Sequence, residues 1–261
     1  MKRGMLMMAG ASLICVGQVL AQTPGVSGIA PSSTKAEASA SQTEDAHVKW
    51  MEAQLADWAD LARYRETNAA LPPVPDREQR VVFYGDSITD AWGRERGSFF
   101  PGKPYVNRGI SGQTTPQMLV RFQQDVVHLK PAVVVILAGA NDIAGNTGPS
   151  TPEMIEDNFV SMVAIAKQSG IKVVIASILP ARRYPWKHEL RPVEEIRSMN
   201  RWLKDFCGKN GLVYLDYYDS LADADGGMRE GLSVDGVHPT AQGYAVMTPL
   251  AEQAIAQALR E

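Results

Sequence analysis

From residue 80 onward, short runs of apolar side chains alternate with stretches whose apolar positions recur every three or four residues. Arg80-Val-Val-Phe-Tyr84 is the first run and stops at Gly85. Tyr105-Val106, the second and shortest, opens into Asn107-Arg-Gly-Ile-Ser-Gly112. Ala132-Val-Val-Val-Ile-Leu-Ala138 carries no polar side chain, the mark of a strand buried on both faces. Lys172-Val-Val-Ile-Ala-Ser177 and Val213-Tyr-Leu-Asp216 complete a set of five predicted strands. Between them, Thr115-Pro116 and Thr151-Pro152-Glu153 each join an N-cap residue to a first-turn proline. They predict helices reaching about Lys130 and Gly170. A further helix is expected over residues 193–209, and Thr240 caps a last one through Gly243, Met247 and Leu250 to Leu259.

Strands alternating with helices imply βαβ units, a parallel sheet and helices on both of its faces. With five strands and a short first crossover, the expected fold is a three-layer α/β/α sandwich with strand order 2-1-3-4-5, flavodoxin-like. Ligands of such sheets bind beyond the carboxyl ends of the strands, so the loops at that edge are where chemistry is sought.

The amino-terminal part reads differently. Residues 1–21 open with Lys2 and Arg3, run almost wholly apolar through Val16 and end in Val19-Leu-Ala21, the pattern of a cleavable secretory signal. Its apolar run is short for a membrane span. Export to the periplasm or the exterior is therefore expected. Residues 22–45, rich in Ser, Ala, Thr, Gly and Pro, are expected to form a flexible leader. One domain should follow over residues 46–261. It begins with a helix from His47 whose Trp50, Met51, Leu55, Trp58, Leu61 and Ala62 are spaced for packing on the core.

Composition narrows the chemistry without naming it. The 261-residue chain has a net charge of −3, and losing Lys2 and Arg3 with the signal makes it −5, so no basic field for nucleic acid is present. Losing Cys15 leaves Cys207 alone, in a helical pattern that suggests a buried, inert thiol; no disulfide can form within the mature chain. Four His and two Cys offer no zinc-finger or ribbon spacing, and neither metal nor organic cofactor is expected.

Four loops fall at the active edge. Gly85-Asp-Ser87 places a hydroxyl at the mouth of a helix, whose free N–H groups favour a developing negative charge; read alone, Ser87 or Asp86 fits an N-cap equally. Gly109 in the second loop can bring a backbone N–H close to a ligand, and Gly139-Ala-Asn141-Asp142 offers a neutral amide donor for an oxyanion. Both also suit ordinary turns. In Asp235-Gly-Val-His238-Pro239 the histidine can accept a Ser proton near neutral pH, and an acid three residues earlier can fix its tautomer. Pro239 biases His238 away from helical backbone. His47 and His128 lie in helical stretches with no acid partner that points to chemistry, and His188 sits in a charged loop.

Taken in order, Ser87, Gly109, Asn141 and the Asp235–His238 pair resemble the SGNH hydrolases, the GDSL esterases and lipases. Val81-Val-Phe-Tyr-Gly-Asp-Ser-Ile88 and Gly139-Ala-Asn-Asp142 are most similar to its platelet-activating-factor acetylhydrolase-like branch. The resemblance spans about residues 80–259; Ile88 stands where the common signature has Leu. It implies an α/β/α sandwich and a serine esterase with a Ser87–His238–Asp235 triad. The Ser87 N–H, Gly109 N–H and Asn141 amide would form its oxyanion hole. Trp92, five residues after the candidate nucleophile, is a candidate wall of the acyl pocket or a packing residue. The long loop after the fourth strand offers Arg182, Arg183, Tyr184, Trp186 and Lys187 to a sugar or anionic alcohol portion, or to solvent. The expected substrate is a small-molecule or carbohydrate ester, short-acyl and most simply acetyl. A lysophospholipase or thioesterase using the same triad, and a non-catalytic flavodoxin-like binding module, are the alternatives.

Overall fold

Five short strands, each taken from one of the apolar runs, build the centre of the computed structural model. The structure describes residues 45–260 except 47, 50, 53–54 and 76–78. The expected signal peptide, and the expected leader up to residue 44, lie outside the described residues.

The strands are β1 (Val81–Gly85), β2 (Tyr105–Gly109), β3 (Val133–Leu137), β4 (Lys172–Ala176) and β5 (Val213–Leu215). All neighbours pair in parallel, in the order β2-β1-β3-β4-β5. The expected topology is therefore the observed one. The helices are α1 (Arg65–Ala69), α2 (Ser87–Ala91), α3 (Thr115–Asp125), α4 (Ala140–Ile143), α5 (Pro152–Gln168), α6 (Val193–Asn210), α7 (Tyr218–Leu221) and α8 (Ala241–Arg260). Among the described residues no helix is long and apolar enough to cross a membrane.

Because successive strand residues point to opposite faces, the all-apolar strands feed two cores at once. Val82, Tyr84, Val134, Ile136, Val173 and Ile175 enter one, with Phe122 of α3, Phe159 of α5 and Leu203 of α6. Val81, Phe83, Val135, Leu137 and Val174 enter the other, with Tyr244, Met247 and Ala251 of α8. Cys207 of α6 is buried, and burial pushes its thiol up to about 12, which keeps it protonated and inert.

Caps act where the prolines pointed, with one shift. Thr151 caps α5 by accepting the Met154 N–H at 3.3 Å. At α3 the cap is Thr114, one residue before the expected Thr115, and its N–H donates to the Gln117 side chain at 3.1 Å. The amino-terminal helix differs more. Its described residues are helical through 56, and the chain then runs in turns over 57–64. Leu55 is 81% exposed and Trp58 is exposed too, so the core packing expected of them is not found; Trp50 is outside the described residues. Tyr64 supplies the burial instead. Its hydroxyl donates to the Gly109 carbonyl and receives Arg94 at 2.9 Å.

Behind the active edge lies a fully buried ion pair, Arg121 Nη1 to Asp125 Oδ2 at 3.2 Å. The same guanidinium donates to the carbonyls of Gly85 (3.0 Å) and Arg108 (2.9 Å) and covers the Tyr84 ring at 4.2 Å. One side chain thus ties down the ends of β1 and β2, where two of the site loops begin.

Candidate active site

The first loop turns from β1 into α2 within one residue. Gly85 is required for space: a Cβ there would lie 2.2 Å from Thr89 Oγ1 and 2.8 Å from the Leu137 carbonyl oxygen. Asp86 is the N-cap, accepting the Ile88 N–H at 3.0 Å. Ser87 is then the first helical residue, so its own N–H has no acceptor within the helix. Asp86 thus takes the N-cap role, which leaves the Ser87 hydroxyl free at the mouth of the helix.

The fourth loop brings His238 to Ser87. His238 Nε2 lies 2.9 Å from Ser87 Oγ, and its Nδ1 lies 2.7 Å from Asp235 Oδ2. Asp235 Oδ1 receives the N–H groups of His238 (2.8 Å) and Val237 (3.0 Å), which clamps the carboxylate against the ring. A carboxylate only accepts, so Nδ1 carries the proton and Nε2 is free to accept from Ser87. Partial burial opposes ionisation of Asp235, but those backbone donors and the imidazole outweigh it and hold its carboxyl below the usual range.

The third loop places Asn141 in the floor. Its Nδ2 donates to the Gln113 carbonyl at 3.0 Å and makes only a long contact, 3.4 Å, to Asp86 Oδ2. Asp142 faces away and accepts the Thr115 N–H at 3.0 Å, anchoring this loop to the start of α3.

The second loop departs from expectation. Gly109 ends β2, its N–H is taken by Asn107 Oδ1 at 2.9 Å, and a Cβ there would lie 2.1 Å from the Asp90 nitrogen. It is a packing glycine that lets β2 lie against α2, and its N–H is not presented to the site. Gly112, three residues on, lines the same cleft as Ser87, Asn141 and His238, with φ +79° and no acceptor for its N–H among the described residues. That cleft has a volume of about 350 Å³, and Asn146, Ser111, Arg96 and Trp186 complete most of its wall.

The five candidate substrate residues fall in three kinds of place: the core, the Ser87 cleft and a second cleft. Trp92 is buried among Phe83, Phe99, Phe100 and Tyr244, its indole N–H on the Ser98 carbonyl, so it packs the core and walls no acyl pocket. Tyr184 is also fully buried, stacked on Trp186 at 5.2 Å, and is no surface for a ligand. Trp186 does face the cleft, 6.0 Å from the His238 ring. Arg182 and Arg183 line a second cleft of about 710 Å³ that is bordered by Asp235 and Gly236. Arg182 is forked between Asp223 (2.7 Å) and Asp225 (3.0 Å), whereas Arg183 has no charged partner among the described residues. His128 and His188 are exposed and outside both clefts.

The model of the GDSL-like Lipase/Acylhydrolase family matches residues 83–246. The chain belongs to that family. Its members are carboxylic ester hydrolases as a class, and the SGNH resemblance read from the loops is the same relationship. A GDSL-like lipase structure from Bacteroides thetaiotaomicron is 40% identical, with a TM-score of 0.74, covering 77% of this chain and 98% of that one. Esterase TesA of Pseudomonas aeruginosa is 29% identical over 178 residues, 62% of this chain and 80% of TesA. An acetylxylan esterase of Geobacillus stearothermophilus is 36% identical over 89 residues, 25% of this chain and 40% of that enzyme. The chain spans 58% of the length of another curated relative, the Bacillus subtilis lipoprotein YqeF.

Proposed function

We propose that this protein hydrolyses short-acyl carboxylic esters, acetyl esters first, by nucleophilic catalysis from Ser87. The observation that carries the reading is the unbroken hydrogen-bond chain Ser87–His238–Asp235 opening into a small cleft. Ser87 attacks the ester carbonyl while His238 takes its proton, and Asp235 supports the imidazolium. The Ser87 and Gly112 N–H groups and the Asn141 amide face the developing oxyanion. His238 returns the proton to the leaving alcohol. A water activated by the same ring then attacks the acyl-Ser87 carbonyl, and the acid is released.

The walls of the cleft bear on acyl chain length. Each buried methylene yields about 0.8 kcal/mol only against apolar surface. Among the residues lining the Ser87 cleft, Ala91 and Trp186 are the apolar ones, set among Glu95, Arg96, Ser111, Asn141 and Asn146. A long acyl chain gains little there. The second cleft beside Asp235, with its arginines, suits a polar alcohol portion such as a sugar. The relation to an acetylxylan esterase supports the same class, and the signal peptide expected over residues 1–21 would deliver the enzyme outside the cytoplasm.

Nitrophenyl esters of increasing acyl length, run beside acetate release from acetylated xylan, test this. The expected result is a maximum at acetyl. A maximum at long chains would replace it with the lysophospholipase or thioesterase reading, and absence of turnover with every ester would leave the non-catalytic module. An amino terminus at Gln22 in the exported protein would support the location.

A further inference from the structure

Asn146 lies outside the four site loops read from the sequence, on the turn that follows α4, between Gly145 and Gly148, both at positive φ. Its backbone N–H donates to the Asn141 carbonyl at 3.0 Å, and its side-chain Nδ2 donates to Asn141 Oδ1 at 2.8 Å. Its own Oδ1 accepts the Trp186 indole N–H at 3.0 Å. The direction of this chain is determined by its first member, because an indole nitrogen can only donate. Trp186 therefore sets which end of the Asn146 amide is oxygen, and Asn146 in turn sets which end of Asn141 is oxygen.

We propose that Asn146, itself oriented by Trp186, is the positioning residue that keeps the Asn141 amide turned with its nitrogen toward the oxyanion site. The inference rests on the reading of Asn141 as an oxyanion donor. A flipped Asn141 would set its oxygen against the Gln113 carbonyl and the Asp86 carboxylate, and would offer the oxyanion an acceptor in place of a donor. The bond from Asn146 makes that flip cost a hydrogen bond at the other end as well. Trp186 belongs to the long loop after β4, so the loop that meets the substrate is coupled by two hydrogen bonds to the group that stabilises the transition state.

The test is a pair of mutant cycles read as kcat and KM. Asn146→Asp keeps the size and the acceptor for Trp186 but removes the donor to Asn141. It should lower kcat roughly tenfold or more at near-constant KM, since full loss of an oxyanion donor costs about 10²–10³. In an Asn141→Ala background the same change should have no further effect. Trp186→Phe, which keeps a ring beside His238 but loses the N–H, should lower kcat in the wild type and not in Asn146→Ala. Wild-type kcat in Asn146→Asp, or an equal loss with and without Asn141, would overturn the proposal. If Asn141→Ala itself leaves kcat unchanged, the oxyanion reading falls and the positioning role with it. Asn146 is exposed, so its own variants are expected to melt with the wild type, and each comparison in the Asn141→Ala background is made at equal folded fraction.

Discussion

Asp235 holds His238 twice: one carboxylate oxygen receives the Nδ1–H of the ring at 2.7 Å and the other receives the backbone N–H of the same residue at 2.8 Å. The three-residue spacing makes this double contact possible within one turn. Asp235 consequently fixes both the tautomer of the His238 ring and its position over Ser87.

Asp235→Asn should keep much of that geometry and reverse the tautomer. A drop in kcat of about 10³–10⁴ is expected, measured with an activated acetyl ester. The Asp235 carboxyl is held below its ordinary value in the folded protein, so the stability it contributes is present above its unfolded pKa. That contribution is lost as pH falls through the lower folded value. The melting difference between wild type and Asp235→Asn should accordingly narrow under acidic conditions.

The two glycines of the second loop should separate into opposite phenotypes. Gly109→Ala forces a Cβ to 2.1 Å from the Asp90 nitrogen and should lower thermal stability. Gly112→Ala meets nothing within 4 Å but strains a backbone at φ +79°, displacing the N–H proposed to meet the oxyanion. It should lower kcat more than it lowers the melting temperature. Measuring both properties on both variants decides between them.

Asp86 is buried at the N-cap of α2, and burial raises its pKa from 3.8 to about 6 against the pull of the Ile88 N–H. The folded chain therefore holds this proton more tightly than the unfolded one. Its contribution to stability is most favourable below about pH 4 and declines as pH rises through about 6. Asp86→Asn removes the dependence and should gain on the wild type by up to about 3 kcal/mol between those limits. Denaturant unfolding at acidic and neutral pH gives the difference directly.

Arg121 and Asp125 are both fully buried, so removing one charge strands the other. Arg121→Met should destabilise the fold by about 3–5 kcal/mol, and the double change Arg121→Met/Asp125→Leu should recover a large part of the loss. A shift in denaturant midpoint without a change in slope is the expected reading.

The sheet was legible in the sequence because its interior strands are apolar on both faces and leave an unbroken hydrophobic run. β2 was the exception. Asn107 and Arg108 are polar residues inside a strand: Asn107 bonds back to the Gly109 N–H, and Arg108 lies over the Tyr64 ring at 4.7 Å. Those partners hide the strand's true length, and a strand read two residues long puts Gly109 in the loop. With β2 extended to its observed end, Gly112 becomes the loop glycine. Ser87 and Asn141 could be found because each comes within four residues of a strand's end, and Asp235 and His238 because they lie in the short turn before the last helix. Trp92 could not be placed, since its ring partners come from separate segments around Phe83, Phe99, Phe100 and Tyr244. Asn146 was missed for a related reason: its role depends on Trp186, forty residues away in the chain.

The proposed reaction depends above all on acylation of Ser87. Mass spectrometry of the protein quenched during turnover of nitrophenyl acetate, or after reaction with a fluorophosphonate, tests it most directly. One adduct is expected, on the peptide carrying Ser87, and neither adduct nor turnover in Ser87→Ala. An adduct on another residue, or near-normal turnover in that variant, would contradict it.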